Sequence, residues 1–210
     1  MKRVLLTSFE PFGKHRRNSS LEIGEAVAAA PPAGIALQWL ILPVVAKRCV
    51  DMAWECIERL RPSLVLALGQ SDRAAHLQIE RVALNVNDFA IADNAGQRPR
   101  DAKIAADGPA AYFTTIPARA VVSGLLRRKI PARLSYSAGT YVCNHLLYGL
   151  LHRTAQEGRR MRVGFVHLPL VPGQGKRPTR APSRAKMIEG VRFALAKCVE
   201  TRAPVHSLHG

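Results

Sequence analysis

Residues 63–69 read "SLVLALG", an unbroken apolar run that follows the Arg61-Pro62 break and ends on a glycine. Strict alternation would mark a strand with one wet face. A continuous run bounded by turn residues instead marks a strand buried on both faces, as in a parallel sheet covered by helices on each side. The stretch is therefore expected to lie at the centre of a sheet, flanked in sequence by helices.

Working outward, strands and helices do alternate. Residues 3–8 ("RVLLTS") form a short apolar strand, and after the loop "FEPFGKHRRN" a helix is expected from Ser19 or Ser20, capped by a hydroxyl with Glu22 in its first turn. "IALQWLILPV" at 35–44 reads as the next strand, and "VAKRCVDMAWECIERL" has apolar residues at helical spacing until Pro62 stops it. On the other side, residues 77–91 alternate like extended structure. Residues 92–109 ("ADNAGQRPRDAKIAADGP") are rich in Asp, Gly and Pro and should form a surface excursion able to border a site. A helix over 117–129, a strand over 132–136, a helix over 143–157 and the strand "RVGFVHLPL" at 162–170 follow. The basic loop "GKRPTRAPSRAK" then leads into a last helix ending near Thr201. The pattern predicts a three-layer α/β/α sandwich with a mainly parallel central sheet. It forms one domain over residues 1–203, with a tail at 204–210.

Composition narrows the function classes. The 210 residues are 48% hydrophobic, enough for one substantial core. The apolar run after Met1-Lys2-Arg3 is too short for a secretory core, and no stretch approaches the roughly 20 apolar residues of a membrane helix. A cytoplasmic protein without membrane attachment is expected. Cysteines at 49, 56, 143 and 198 show no Cys-x-x-Cys pair, so reduced thiols are expected and no metal site is read. The formal charge of +16 would attract nucleic acid non-specifically. The basic residues are nevertheless spread along the chain (Arg16, Arg17, Arg127, Arg128, Arg159, Arg160, Arg177, Arg180) without interleaved aromatics. A solvated basic surface is thus preferred to specific nucleic-acid binding, which stays as the alternative from another class.

In α/β sheets, ligands bind beyond the carboxyl ends of the strands, where helix N-termini also point. Cys143 follows "SAGTYV" and opens the run "NHLLYGLLH", so its sulfur should sit in the first turn of a helix, where free N–H groups favour an anion. Position alone leaves nucleophile and buried core thiol level. Cys49, Cys56 and Cys198 fall inside helices and read as core. His167 interrupts an apolar strand just before Pro169, so a hydrogen-bonding partner must hold it, in a structural network or a catalytic pairing. His145 is the rival base, but two residues from Cys143 on a helix it faces elsewhere. Glu80, in "QIERVALN", could orient an imidazole or simply pair with Arg81.

These residues lie in motifs that resemble the pyroglutamyl peptidase I (pyrrolidone-carboxylate peptidase) family over almost the whole chain. "TSFEPFG" at 7–13 with Asn18-Ser19-Ser20, "ERVALNVNDFAIADN" at 80–94, "GPAAYF" at 108–113, "SAGTYVCNHLLYGLLH" at 137–152 and "GFVHLPLVPGQ" at 164–174 occur in the family's order. The resemblance implies a phosphorylase/hydrolase-like fold and a cysteine peptidase that removes N-terminal pyroglutamyl residues from peptides. Cys143 would be nucleophile, His167 base and acid, and Glu80 the group orienting the imidazole. It also implies no cofactor or metal, and a homo-oligomer such as a tetramer. Phe9 and Phe12 would flank the lactam ring, unless they are ordinary core, with Glu10 between them pointing elsewhere. Gln70, Tyr141 and Val142 would complete the pocket.

The chain departs from the family pattern at several places, among them Ser8 and Lys14 for usual glycines and the start of the last helix, "APSRAKMIEG", and two further departures concern the site loops. Gly-Gln-Ala-Gly-Gly-Arg is Gly69-Gln70-Ser71-Asp72-Arg73-Ala74 here, and the arginine of "DARIPDN" is Ala90 in "DFAIADN". A divergent member with weak activity or a shifted substrate is the alternative that these departures raise, with Arg73 a possible replacement cation.

Overall fold

The computed structural model describes residues 1–175 and 180–201. Part of the basic loop before the last helix (176–179) and the predicted tail at 204–210 lie outside the described residues. In chain order the elements are β1 (Lys2–Phe9), α1 (Ser19–Ala29), β2 (Ile35–Leu42), α2 (Ala46–Leu60), β3 (Leu64–Gln70), β4 (Leu77–Glu80) and β5 (Val82–Leu84). There follow β6 (Ala111–Phe113), α3 (Ala118–Arg127), β7 (Ala132–Ser135), α4 (Val142–Gln156), β8 (Arg162–Leu168) and α5 (Arg184–Glu200).

Six strands form one sheet in the order β2-β1-β3-β8-β4-β7. β3, the opening run, lies inside it, hydrogen-bonded to β1 and β8 and buried at every residue. Its side chains divide by the two-residue period of a strand. Leu64, Leu66 and Leu68 join a core with α1, α3 and α5, whereas Val65 and Ala67 join a second core with α2 and α4. Each face of the continuous run thus meets its own helical layer, giving the α/β/α sandwich.

Two details differ from the sequence reading. β4 runs antiparallel to β8 while pairing parallel with β7, so the sheet is four parallel strands plus an opposed pair. The 77–91 stretch is not one strand: β4 and β5 break at Arg81, and β5 leaves to form a separate two-stranded ribbon with β6. Alternation reports burial on one side but not which sheet supplies the partner.

Local signals account for the helix ends. The cap of α1 is Asn18 rather than a serine: its Oδ1 accepts from Ser20 N at 2.9 Å, and Ser20 Oγ instead accepts from Phe9 N at 3.1 Å. α2 ends with Arg61 in the left-handed region (φ 48°), its N–H donating to Ile57 O before Pro62. The stripe Cys49, Val50, Ala53, Trp54, Cys56 and Ile57 is buried on one side of α2, and Cys198 is buried in α5. These three thiols fill core, as their positions inside helices predict.

Candidate active site

Cys143 is the second residue of α4, behind Tyr141 as the extended cap residue. The amides at such a helix start have no intrahelical acceptor, so those of Val142 and Cys143 are available to an anion. Asn144 fixes this end of the helix. Wholly buried, it accepts from Leu84 N at 2.9 Å and donates to Leu84 O and Val86 O at 2.9 and 3.0 Å. Beneath the thiol lies Gly69, the next-to-last residue of β3. A Cβ there would come within 3.0 Å of Cys143 Sγ and 2.6 Å of Phe165 Cζ, so glycine leaves the room that the sulfur occupies.

His167 stands opposite Gly69 on β8, and in the antiparallel pairing of β4 with β8 it is directly across from Gln78. Glu80 lies two residues further along β4 on the same face, a diagonal neighbour within reach of a long side chain. Its Oε1 accepts from His167 Nδ1 at 2.7 Å. Glu80 is fully buried, and its Oε2 has no hydrogen-bond partner among the described residues, so the imidazole is what compensates its charge. The expected alternative pairing with Arg81 does not occur: that guanidinium donates to Thr114 O and covers the Phe113 ring.

Burial opposes a charged His167. The charge and hydrogen bonding of Cys143, then those of Glu80, outweigh it and raise the imidazole pKa to about 10. With Nδ1 committed to the carboxylate, Nε2 is the nitrogen left to face the sulfur. His145 takes no part. It bonds Asn87 Oδ1 at 3.0 Å, and burial, against the charge of Asp51, lowers its pKa to about 4.

The thiol and imidazole open on a cavity of about 120 Å³ lined by Phe9, Phe12, Gln70, Tyr141 and Val142, all expected from sequence as pocket residues, and by Asn18, Val44 and Ala138, which were not expected there. Phe9 is also buried in the α2/α4 core, so it is both core and wall. Phe12 and Phe89 pack on Tyr141 with ring centroids 6.0 and 4.7 Å away. Tyr141 donates to Ala92 O, and burial, with Asp93 and Cys143, pushes its phenol up to about 12. Glu10 turns away, its Oε1 accepting from Val44 N and Asn94 Nδ2.

Among the described residues no lysine or arginine lines this cavity. Ala90 is exposed, as is Arg73; Arg98 bonds the Phe89 carbonyl but is not part of the lining. The 92–109 excursion borders a different cavity through Ile104 and Ala105. Sequence reasoning also missed Gln174, whose Nε2 bonds Gln70 Oε1; it ends the quoted histidine motif, which was the available signal.

A sequence model described as pyroglutamyl peptidase matches residues 2–201. The chain is 43% identical to a pyrrolidone-carboxylate peptidase of Cupriavidus taiwanensis, covering 100% of this chain and 99% of the relative. It is 43% identical to one of Streptomyces coelicolor, covering 97% and 94%. Among solved structures, pyroglutamyl peptidase I of Bacillus amyloliquefaciens superposes with a TM-score of 0.90 at 32% identity, covering 98% and 100% of the two chains. The pyrrolidone carboxyl peptidase of Thermococcus litoralis gives 0.89 at 32%, with the same coverage.

Proposed function

The chain belongs to the pyroglutamyl peptidase family, and from that premise we propose that Cys143, His167 and Glu80 are its catalytic groups and the adjoining cavity its pyroglutamyl pocket. The protein is a cysteine-type peptidase that removes an N-terminal pyroglutamyl residue from peptides. The observation that carries the assignment of residues is the line Glu80–His167–Cys143 ending at the mouth of a small, largely apolar cavity.

In this reading His167 holds the proton taken from the thiol, and the thiolate attacks the carbonyl carbon of the pyroglutamyl residue, forming a C–S bond. The Val142 and Cys143 amides receive the negative charge that develops on oxygen. As the C–N bond breaks, His167 gives its proton to the leaving amine. Water then loses a proton to His167 and adds to the thioester. The C–S bond breaks, releasing pyroglutamate and restoring the ion pair. Glu80 keeps the imidazole oriented throughout and stabilises its charged form. Phe9, Phe12, Val142 and Tyr141 enclose the ring, and Gln70 is a polar wall.

One domain spanning residues 1–203, a cytoplasmic setting and a homo-oligomer of up to four copies complete the proposal. Four free cysteines fit a reducing compartment. Exposed Phe113, Leu126 and Tyr136 offer apolar surface for self-association. The test is turnover by the purified protein of a chromogenic pyroglutamyl amide beside the matching prolyl amide. Release from the first alone supports the reading; no release from either overturns it.

A further inference from the structure

Gln70 is a firmly held polar side chain of the cavity wall. Its Oε1 accepts from Ser19 N at 3.0 Å and from Gln174 Nε2, and its Nε2 donates to Asp72 Oδ1 at 2.8 Å. A primary amide has two N–H donors, so one is left with no acceptor among the described residues. The amide cannot turn over, because its NH₂ would then face two donors and its oxygen the Asp72 carboxylate. The second oxygen of Asp72 meets His15 Nε2 at 2.8 Å, and since a carboxylate only accepts, that nitrogen carries the hydrogen. The His15 ring packs on Phe12 with centroids 5.6 Å apart. Asp72 itself stands outside the cavity, its side chain 45% exposed, and ties together two separate pieces of the wall.

We propose that Asp72 is a positioning residue for recognition of the pyroglutamyl ring. It presents the remaining N–H of Gln70 to the ring carbonyl and, through His15, sets Phe12 against the ring face. The assignment rests on the reading that this cavity receives the pyroglutamyl group. The position is one where the family pattern has glycine, so the brace belongs to this chain and does not follow from family membership. A device that organises ground-state contacts acts on substrate binding more than on the chemical step.

The test compares full-length wild type with Asp72→Ala, Asp72→Asn and His15→Ala, measuring kcat and KM on a fluorogenic pyroglutamyl amide and the affinity for free pyroglutamate by calorimetry. Asp72→Ala is expected to raise KM and weaken pyroglutamate binding by roughly three- to tenfold, the scale of one hydrogen bond, with kcat within about twofold. Asp72→Asn keeps an acceptor for Gln70 and should recover most of that loss. Unchanged KM and affinity in Asp72→Ala, or a fall confined to kcat, would overturn the proposal. Should Asp72→Ala not fold, His15→Ala, which removes the Phe12 side of the brace, must raise KM, and an unchanged value counts against it. A wild type that binds pyroglutamate without turning over the amide contradicts the peptidase reading instead, and the calorimetric comparison still decides the role of Asp72.

Discussion

His167 Nδ1 and Glu80 Oε1 lie 2.7 Å apart, and the carboxylate they share has no exposed surface. A carboxylate so buried, with one oxygen unpartnered among the described residues, costs free energy unless the imidazole beside it is charged. Glu80→Gln removes that charge while keeping the shape. The expected result is a fall in kcat of at least roughly 10²-fold with KM little changed, together with a lower pKa of His167. Titration of the imidazole by NMR and steady-state kinetics check the two halves.

Cys143 and, after it, Glu80 act on this imidazole so that stability depends on pH. His167 is raised from 6.5 to about 10, so the folded chain binds this proton more tightly than the unfolded one. Its stabilisation is complete below about pH 6.5 and is lost as the pH rises through about 10. Thermal midpoints should decline across that window in the wild type and decline less steeply in Glu80→Gln. Equal slopes would show that the Glu80–His167 pair does not carry the linkage.

Asn144 links the catalytic helix to β5 by three hydrogen bonds. Asn144→Ala leaves the Leu84 amide and two carbonyls without that partner. Destabilisation by about 1–3 kcal/mol is expected, read by denaturant unfolding, with a lower kcat because the start of α4 is less firmly placed.

Ala90 stands where the family pattern has an arginine, which the resemblance places beside the oxyanion, and no lysine or arginine lines the cavity among the described residues. Ala90→Arg is expected to raise kcat on a pyroglutamyl amide, by up to roughly the 10²–10³-fold that one oxyanion contact is worth. A kcat that stays the same would mean that the helix amides already hold the oxyanion unaided.

Much of this architecture is legible in the sequence for a simple reason. An unbroken apolar strand such as 64–68 must be covered twice, and the helical stripes around it have to provide both covers. The antiparallel entry of β4 is not legible, because four residues are too few to distinguish one direction of pairing from the other. In the site, position in the sequence singled out Cys143, His167 and Glu80, and motif resemblance supplied their proposed roles and the wall residues Phe9, Phe12, Gln70, Tyr141 and Val142. Asn18 and Gln174 were inside quoted motifs but had no local signal beyond their polarity. The Asp72–His15 contact joins residues 57 positions apart and depends on the loop conformation after β3, which the loss of two pattern glycines made hard to foresee.

The most direct test of the central claim is the rate of pyroglutamate release from a pyroglutamyl amide by the wild type and by Cys143→Ala at equal concentration, with folding of both verified by circular dichroism. The account predicts steady release by the wild type, abolished by iodoacetamide, and release at the uncatalysed background by Cys143→Ala. Turnover retained by folded Cys143→Ala would contradict it.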